Sequence, residues 1–307
     1  MASKALPALI LRQLQQSEPD AKFTATLPRV QSSSGKRYFV KIGSPREMEQ
    51  YVGEEKSLRA MHAAAPGLVP QMIASGVIGA DGEATDGSGK PYFVSEYKDI
   101  GSLSDKGGVR LGERLAEMHR CKSENGKFGF DVPTFCGATR MRNGWYDTWE
   151  ECFDVKIGDL LGSLKEEGRS AGVVKKGEEI RRRVIPALLG KLDVEPVILH
   201  GDLWSGNAGT DSATGEPVIF DPSSYYGHNE ADLAIARIFG GFPKSFYKTY
   251  EEHLPRTEPA EEYELRADLY ELFHYMNHAV LFGGGGYASS AERKMDTLLR
   301  WADSSKL

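Results

Sequence analysis

The chain is expected to fold as two lobes of the α+β class, a small sheet-based lobe over residues 1–97 and a mainly helical lobe over residues 98–307. Two patterns predict this. Up to Tyr97, short runs rich in β-branched and aromatic residues surround a single stretch of helical periodicity, the order of a small α+β unit. Beyond Asp99-Ile100-Gly101-Ser102, apolar residues recur at helical spacing through most of the chain. With 307 residues, 40% of them hydrophobic and 27% charged, there is enough chain for two cores of ordinary globular composition.

The elements follow in order. Residues 2–16 place Leu6, Leu9, Ile10 and Leu14 on one face of a helix packed on the first lobe. They lack the continuous apolar core and small-residue cleavage site of a secretory signal, and a mitochondrial transit peptide is the other reading. Strands are expected at Phe23–Leu27 and Tyr38–Ile42 around the turn Ser32-Ser33-Ser34-Gly35, then a helix over about Arg46–His62. Val69–Ile78 and Pro91–Tyr97 supply further strands across the Gly/Asp-rich loop 79–90. The second lobe reads as helices at Val109–Cys121, Tyr146–Lys165, Val173–Leu192, Ala231–Phe239, Glu261–Phe282 and Ala291–Ala302. The only low-complexity runs are Ser32–Ser34 and Gly283–Gly286.

A formal net charge of −6 gives no general attraction to nucleic acid, and no specific binding to it is expected. The basic cluster Lys175-Lys176 and Arg181-Arg182-Arg183 is interleaved with Glu178 and Glu179, the pattern of a solvated, salt-bridged helix face. Cys121, Cys136 and Cys152 are odd in number and lack metal-type spacing, so neither a disulfide framework nor a zinc site is expected. No run of about twenty apolar residues suits a membrane span. The whole fits an intracellular, cytoplasmic chain.

The chemistry is concentrated in His200-Gly201-Asp202-Leu203-Trp204-Ser205-Gly206-Asn207 and in Asp221, which closes the apolar run Val218-Ile219-Phe220. Pro196–Leu199 leads into the loop, Asn207-Ala208-Gly209 opens a strand, 211–215 is a turn, and Pro217–Phe220 returns to bring Asp221 beside Asn207. An Asp five residues before an Asn, with a second Asp after a hairpin, is the spacing that phosphoryl transfer uses. Such transfer needs positioning and charge neutralisation more than covalent help. Asp202 would orient or accept the proton of an attacking hydroxyl, and Asn207 and Asp221 would give hard oxygen ligands to Mg²⁺ on ATP phosphates.

Lys41 ends the strand Tyr38-Phe39-Val40-Lys41, where an ammonium can reach nucleotide phosphates. It needs a carboxylate to hold it. Tyr51, Glu54, Leu58 and Met61 fall on one face of the following helix, so Glu54 is the expected partner, with Glu55 as the fallback. At the junction of the lobes, the backbone C=O of Glu96 and N–H of Tyr97 are placed to read an adenine edge.

These motifs resemble the fructosamine-3-kinase and ketosamine-3-kinase family, within the aminoglycoside-phosphotransferase-like and protein-kinase-like group. The wider group shares the H-G-D-x-x-x-x-N loop and a later Asp. The finer likeness lies in Leu203-Trp204-Ser205-Gly206 and in Asp221-Pro222-Ser223-Ser224-Tyr225-Tyr226-Gly227-His228-Asn229-Glu230. Phe128-Gly129-Phe130, Cys136-Gly137, Trp145–Trp149 and Phe239–Phe246 add to it.

The resemblance implies a two-lobed protein-kinase-like fold with an antiparallel sheet in the first lobe. It implies ATP-dependent phosphorylation of the 3-hydroxyl of ketosamines, as small molecules or on glycated proteins. The 3-phosphate makes the adduct labile and frees the amine, a deglycation repair. Asp202 becomes the catalytic base, Asn207 and Asp221 the metal ligands, and Lys41 with Glu54 the phosphate-handling pair. Trp204 is placed to stack on the sugar or its cationic amine, or to pack between lobes. Tyr225, His228 and Glu230 offer polar tips for the substrate, His228 equally suiting a hydrogen-bonding brace. Asp232 is expected to be structural, bonding the catalytic-loop backbone. Trp145, Asp147 and Trp149 either border the acceptor cleft or are buried by their helix, and His119 is expected to be a satisfied helix residue. Many relatives carry a Gly-rich nucleotide loop with a cysteine that crosslinks two subunits. Residues 22–28 here have neither, which argues against that dimer and leaves the loop's phosphate contacts open.

Two other functions fit the shared loop: a small-molecule kinase of the same fold acting on an aminoglycoside, amino alcohol or other sugar, and a nucleotide-binding module without catalysis. The Trp204 and Tyr225–His228 segments argue against the first, and the intact Lys41, Asp202, Asn207 and Asp221 against the second.

Overall fold

The computed structural model describes residues 6–305 except 87, 169, 284 and 285. Residues 2–5 of the expected N-terminal helix and the middle of the Gly283–Gly286 run therefore lie outside the described residues.

The first lobe is a five-stranded antiparallel sheet in the order β1-β2-β3-β5-β4, formed by β1 (Phe23–Thr26), β2 (Arg29–Ser32), β3 (Arg37–Ile42), β4 (Met72–Ile78) and β5 (Lys90–Glu96). Its two faces carry separate cores. Helix α1 (Ala8–Ser17) buries Leu9, Ile10 and Leu14 against Val30, Tyr38, Val40 and Val94. Helix α2 (Met48–Ala64) packs Tyr51, Leu58 and Met61 with Phe93 into a core that continues through the second lobe. That shared core joins α2 to the helical half.

Strand β2 is absent from the sequence expectation. Leu27-Pro28 is itself a turn, so what reads as one strand and a long connection is a hairpin. The expected turn at Ser32–Gly35 is present as the next corner, with Gly35 at φ 93°.

The second lobe follows β6 (Ile100–Gly101). Helix α3 (Asp105–Met118) is capped by the Ser104 hydroxyl, which accepts the Gly107 N–H at 3.0 Å. A hairpin of β7 (Thr134–Cys136) and β8 (Thr139–Met141) precedes α4 (Trp149–Glu166), which the Thr148 hydroxyl caps. The single helix expected over 173–192 is α5 (Ala171–Glu179), a π-helical turn (Ile180–Val184) and α6 (Ile185–Leu189). Then come β9 (Val197–Leu199), β10 (Ala208–Asp211), β11 (Pro217–Ile219) and β12 (Tyr225–Gly227), followed by α7 (Asn229–Asp232), α8 (Ala234–Phe239), α9 (Lys244–His253), α10 (Tyr263–Phe282) and α11 (Tyr287–Ser304). Helix α9 is also absent from the sequence expectation, although it buries Phe246 and Tyr250 against α3. The basic cluster of 175–183 is salt-bridged as expected: Arg181 pairs with Asp154, and Lys176 with Asp296.

Candidate active site

The expected hairpin forms. β10 and β11 pair antiparallel with Ala208 opposite Ile219, and the Phe220 N–H donates to the Asn207 carbonyl at 3.0 Å. This register sets Asp221 next to Asn207. Asn207 in turn donates from Nδ2 to the Asp202 carbonyl at 2.9 Å and to Asp202 Oδ2 at 3.3 Å. With its amide hydrogens so directed, Asn207 keeps Oδ1 as an acceptor. Among the described residues the Asp221 carboxylate has no hydrogen-bond or ion-pair partner, and it is held in the cleft at φ 54°, a backbone conformation that costs a non-glycine residue energy.

The loop backbone is fixed from behind. The Asp232 carboxylate accepts the N–H of His200 at 2.8 Å and that of Gly201 at 2.7 Å, so Asp232 has the bracing role expected of it. Burial works to raise the Asp232 carboxyl, but the His119 hydrogen bond and the neighbouring His119 and His200 outweigh it and hold it below its ordinary value. His119 is satisfied on both sides, by Asp232 at 3.1 Å and the Tyr250 hydroxyl at 2.7 Å. His200 is buried, and its Nδ1 accepts the Asp202 N–H at 3.2 Å, which leaves Nε2–H to donate to the Phe220 carbonyl at 2.9 Å. One imidazole thus ties the loop to the strand that delivers Asp221. Gly201, at φ 80°, lies so close to this segment that a Cβ would meet the Ser223 carbonyl oxygen at 2.1 Å.

Lys41 pairs with Glu54 at 2.7 Å, and Glu54 is buried whereas Glu55 turns outward to Arg59. Burial holds the Glu54 carboxyl above its usual range, with Lys41 pulling the other way. Asp202 is raised to about 6, first by burial and then by the charges of Asp232 and Asp221, against hydrogen bonds from Cys136 and Asn207. Lys41, Glu54, Asp202, Trp204, Asn207 and Asp221 line one cleft of about 290 Å³. The Trp204 ring folds back over Gly206, where a Cβ would stand 2.2 Å from it.

Four expectations need correction. The Tyr97 N–H donates to the Arg37 carbonyl at 3.1 Å, so the β3–β5 pairing already uses that donor. Among the described residues the Lys98 N–H has no partner and is the next donor along the segment. Tyr225 is buried, stacked on Trp149 at 6.4 Å with the Lys156 ammonium 3.7 Å from its ring centre. His228 is a brace: its ring bonds the Tyr270 and Thr257 hydroxyls, each at 2.8 Å. Glu230 is paired inside the protein with Arg266 at 2.7 Å and accepts the Thr257 N–H at 2.8 Å. Their segment turns inward at β12, whose pairing with β9 puts alternate side chains into the core. Trp149 is likewise buried, its indole N–H donating to Tyr270 at 2.9 Å, and Trp145 packs on Tyr226.

Sequence reasoning gives no role to Gln50, Phe135 and Gly137, which complete the cleft wall, or to Cys136 and His274, whose sulfur and ring nitrogen lie with an Asp202 oxygen inside a 4.8 Å cluster. The spacing of His274, Asn277, His278 and Leu281 on one face of α10 is the available signal.

A carboxylate with a raised proton affinity, an amide oxygen and a free carboxylate in register, and a lysine–glutamate pair across a cleft between a sheet lobe and a helical lobe define the kinase-like phosphotransferase class. The comparisons agree. Over 95% of its length the structure matches an aminoglycoside phosphotransferase APH(4)-Ia bound to AMP-PNP and hygromycin B, with a TM-score of 0.58 at 15% identity and 97% of that chain covered. It matches a Thermobifida fusca protein assigned to the fructosamine-3-kinases with a TM-score of 0.76 at 23% identity, covering 96% of this chain and 100% of the other.

The model of the fructosamine kinase family matches residues 23–301, and the chain belongs to that family. It is 37% identical over 264 residues to the chloroplastic protein-ribulosamine 3-kinase of Arabidopsis thaliana, covering 86% of this chain and 76% of that protein. It is 35% identical over 279 residues to the ketosamine-3-kinase of Mus musculus, covering 83% and 85%.

Proposed function

We propose that this protein transfers the γ-phosphoryl group of ATP to the 3-hydroxyl of ketosamines, fructosamine or ribulosamine adducts carried by small molecules or by protein lysines, and so initiates deglycation in the cytoplasm. Residues 1–97 form the nucleotide-binding lobe, and residues 98–307 carry the catalytic loop and acceptor site. The observation that carries this reading is the convergence of Lys41, Asp202, Trp204, Asn207 and Asp221 on one cleft.

Asp202 accepts the proton of the acceptor hydroxyl as its oxygen bonds to the γ-phosphorus, and the bond from that phosphorus to the ADP oxygen breaks. Its raised proton affinity suits this work near neutral pH. Lys41, aimed by Glu54, neutralises phosphate charge. The Glu96 carbonyl and the Lys98 N–H offer an edge for adenine. Asn207 Oδ1 and the unpaired Asp221 carboxylate are a hard-oxygen donor set that fits Mg²⁺, which when bound neutralises charge developing on the phosphates. Trp204, exposed beside Asp202, supplies a flat face for the sugar and its cationic amine.

The test is ATP consumption with a fructosyl- or ribulosyl-amine against aminoglycoside and choline controls, repeated with Asp202→Asn. Turnover of the ketosamine alone, reduced about 10²- to 10⁴-fold by the substitution, is expected. Turnover of a control and none of the ketosamine would refute the reading.

A further inference from the structure

A second recess, of about 330 Å³, adjoins the catalytic base. It shares Gly137, Asp202 and Trp204 with the main cleft, but its other walls differ in kind. The cleft holds Lys41, Glu54 and Asp221; the recess is bounded by Phe239, His278, Leu281, Phe282 and Tyr287. Among its described lining residues Asp202 is the only carboxylate, and none is Lys or Arg.

The rings form a continuous run outward from the site. Trp204 meets Phe239 edge-on at 6.1 Å, Phe239 meets His278 at 5.1 Å, and His278 meets both Phe282 at 5.6 Å and Tyr287 at 5.0 Å. His278 is anchored by donating from Nδ1 to the His274 carbonyl at 2.8 Å, and burial disfavours its charged form. Trp204, Phe239 and Phe282 are 39%, 40% and 65% exposed, three of the five large hydrophobic side chains that stand in solvent among the described residues. Such rings gain by covering apolar surface, and their faces attract a cation.

The phosphate-handling groups Lys41, Asn207 and Asp221 line the cleft and not the recess, which leaves the recess open to an acceptor whose hydroxyl reaches Asp202. We infer that the recess bounded by Phe239, His278, Phe282 and Tyr287 holds the substituent on the acceptor's amine and selects apolar or aromatic substituents over acidic ones. The inference rests on the ketosamine reading for its acceptor. Its volume is at the lower end of small-ligand pockets, the size of a phenylalkyl group and not of a second sugar chain.

The experiment compares kcat/KM for ribulosyl-amines bearing methyl, phenylethyl or carboxyethyl substituents, with wild type, Phe282→Ala and Phe239→Ala. In parallel, phenylethylamine alone is titrated into wild type and Phe282→Ala by calorimetry. Wild type is expected to prefer phenylethyl over methyl by roughly 10- to 100-fold and to disfavour carboxyethyl. Both substitutions should reduce that ratio to about 3 or less. Phe282 is exposed, so its removal leaves the fold intact.

Equal use of the three substituents by wild type, or a preference that survives both substitutions, overturns the proposal. So does a concentration-dependent dimer abolished by Phe282→Ala with no change in substituent preference, since the rings would then cover a second copy. If no ketosamine is turned over, the amine titration decides: binding that Phe282→Ala abolishes upholds the recess while the ketosamine reading falls, and absence of binding removes both.

Discussion

Asp232 Oδ1 accepts the Gly201 N–H at 2.7 Å, and with the 2.8 Å bond from the His200 N–H to Oδ2 it holds the turn that aims Asp202. The Asp232 side chain does not line the cleft, so its effect on chemistry is exerted through the loop backbone.

Asp232→Asn keeps the size but places an amide NH₂ against a donor. One of the two backbone N–H groups, or His119, then loses its acceptor in a buried setting. A loss of about 2–4 kcal/mol in stability is expected from the unpaired buried group. A fall in kcat of about 10- to 100-fold should accompany it as Asp202 loses its position. Urea unfolding and steady-state kinetics check the two effects, and a variant with wild-type kcat would dissociate Asp232 from the catalytic loop.

The Lys41–Glu54 pair predicts non-additivity. Lys41→Met leaves Glu54 buried beside apolar rings, where it takes up a proton, while Glu54→Gln leaves the ammonium unaimed. Each is expected to lower kcat/KM for ATP by about 10²-fold, and the double variant by little more than either, because both break one unit. Kinetic double-mutant cycles measure this; simple multiplication of the two losses would mean that Glu54 does not act through Lys41.

Much of this site is legible in the amino-acid sequence itself. Asp202, Asn207 and Asp221 lie within twenty residues of chain, and their juxtaposition follows from one hairpin whose turn and strands are written in its residues. Glu54 is legible because helical periodicity singles out one face of α2. Tyr225, His228 and Glu230 are misplaced by sequence reasoning because polar tips do not reveal direction: partners for His228 and Glu230 are Tyr270, Thr257 and Arg266, brought in by α10 and the segment before it. Strand β2 escapes notice because Pro28 looks like the end of a strand when it is the corner of a hairpin. The aromatic run beside Trp204 joins α8, α10 and α11, and such long-range meetings leave no local pattern.

Asp221 has no hydrogen-bond or ion-pair partner for its carboxylate among the described residues, although Lys41, Glu54 and Asp202 line the same cleft. Asp221→Asn should abolish Mg²⁺-dependent turnover by about 10³-fold or more while leaving the melting temperature unchanged or slightly raised, since an exposed unpaired charge in a strained backbone position contributes no stability. EDTA should stop the wild-type reaction, and excess Mg²⁺ should restore it. A variant that unfolds would show instead that Asp221 is structural.

His228 predicts a pH dependence of stability with a definite sign. Burial, aided by Arg266 and opposed by Glu230, depresses its folded value from 6.5 to about 4. The ring is therefore neutral in the folded protein, taking the Tyr270 hydroxyl hydrogen on Nδ1 and donating from Nε2 to Thr257. An unfolded chain binds a proton at this histidine below its ordinary value, whereas the folded one does not until about pH 4. The stability that His228 contributes is thus complete above pH 6.5 and is lost as the pH falls from 6.5 to about 4. His228→Gln can keep an acceptor and a donor but does not titrate. Between about pH 6 and pH 4 the unfolding free energy of wild type should fall more steeply than that of the variant, by about 1.4 kcal/mol per pH unit. Because the carboxylates titrate equally in both proteins, the difference isolates this ring. Parallel stability curves across that window would show that His228 is protonated in the folded state as readily as in the unfolded one, and the neutral brace between Tyr270 and Thr257 would have to be abandoned.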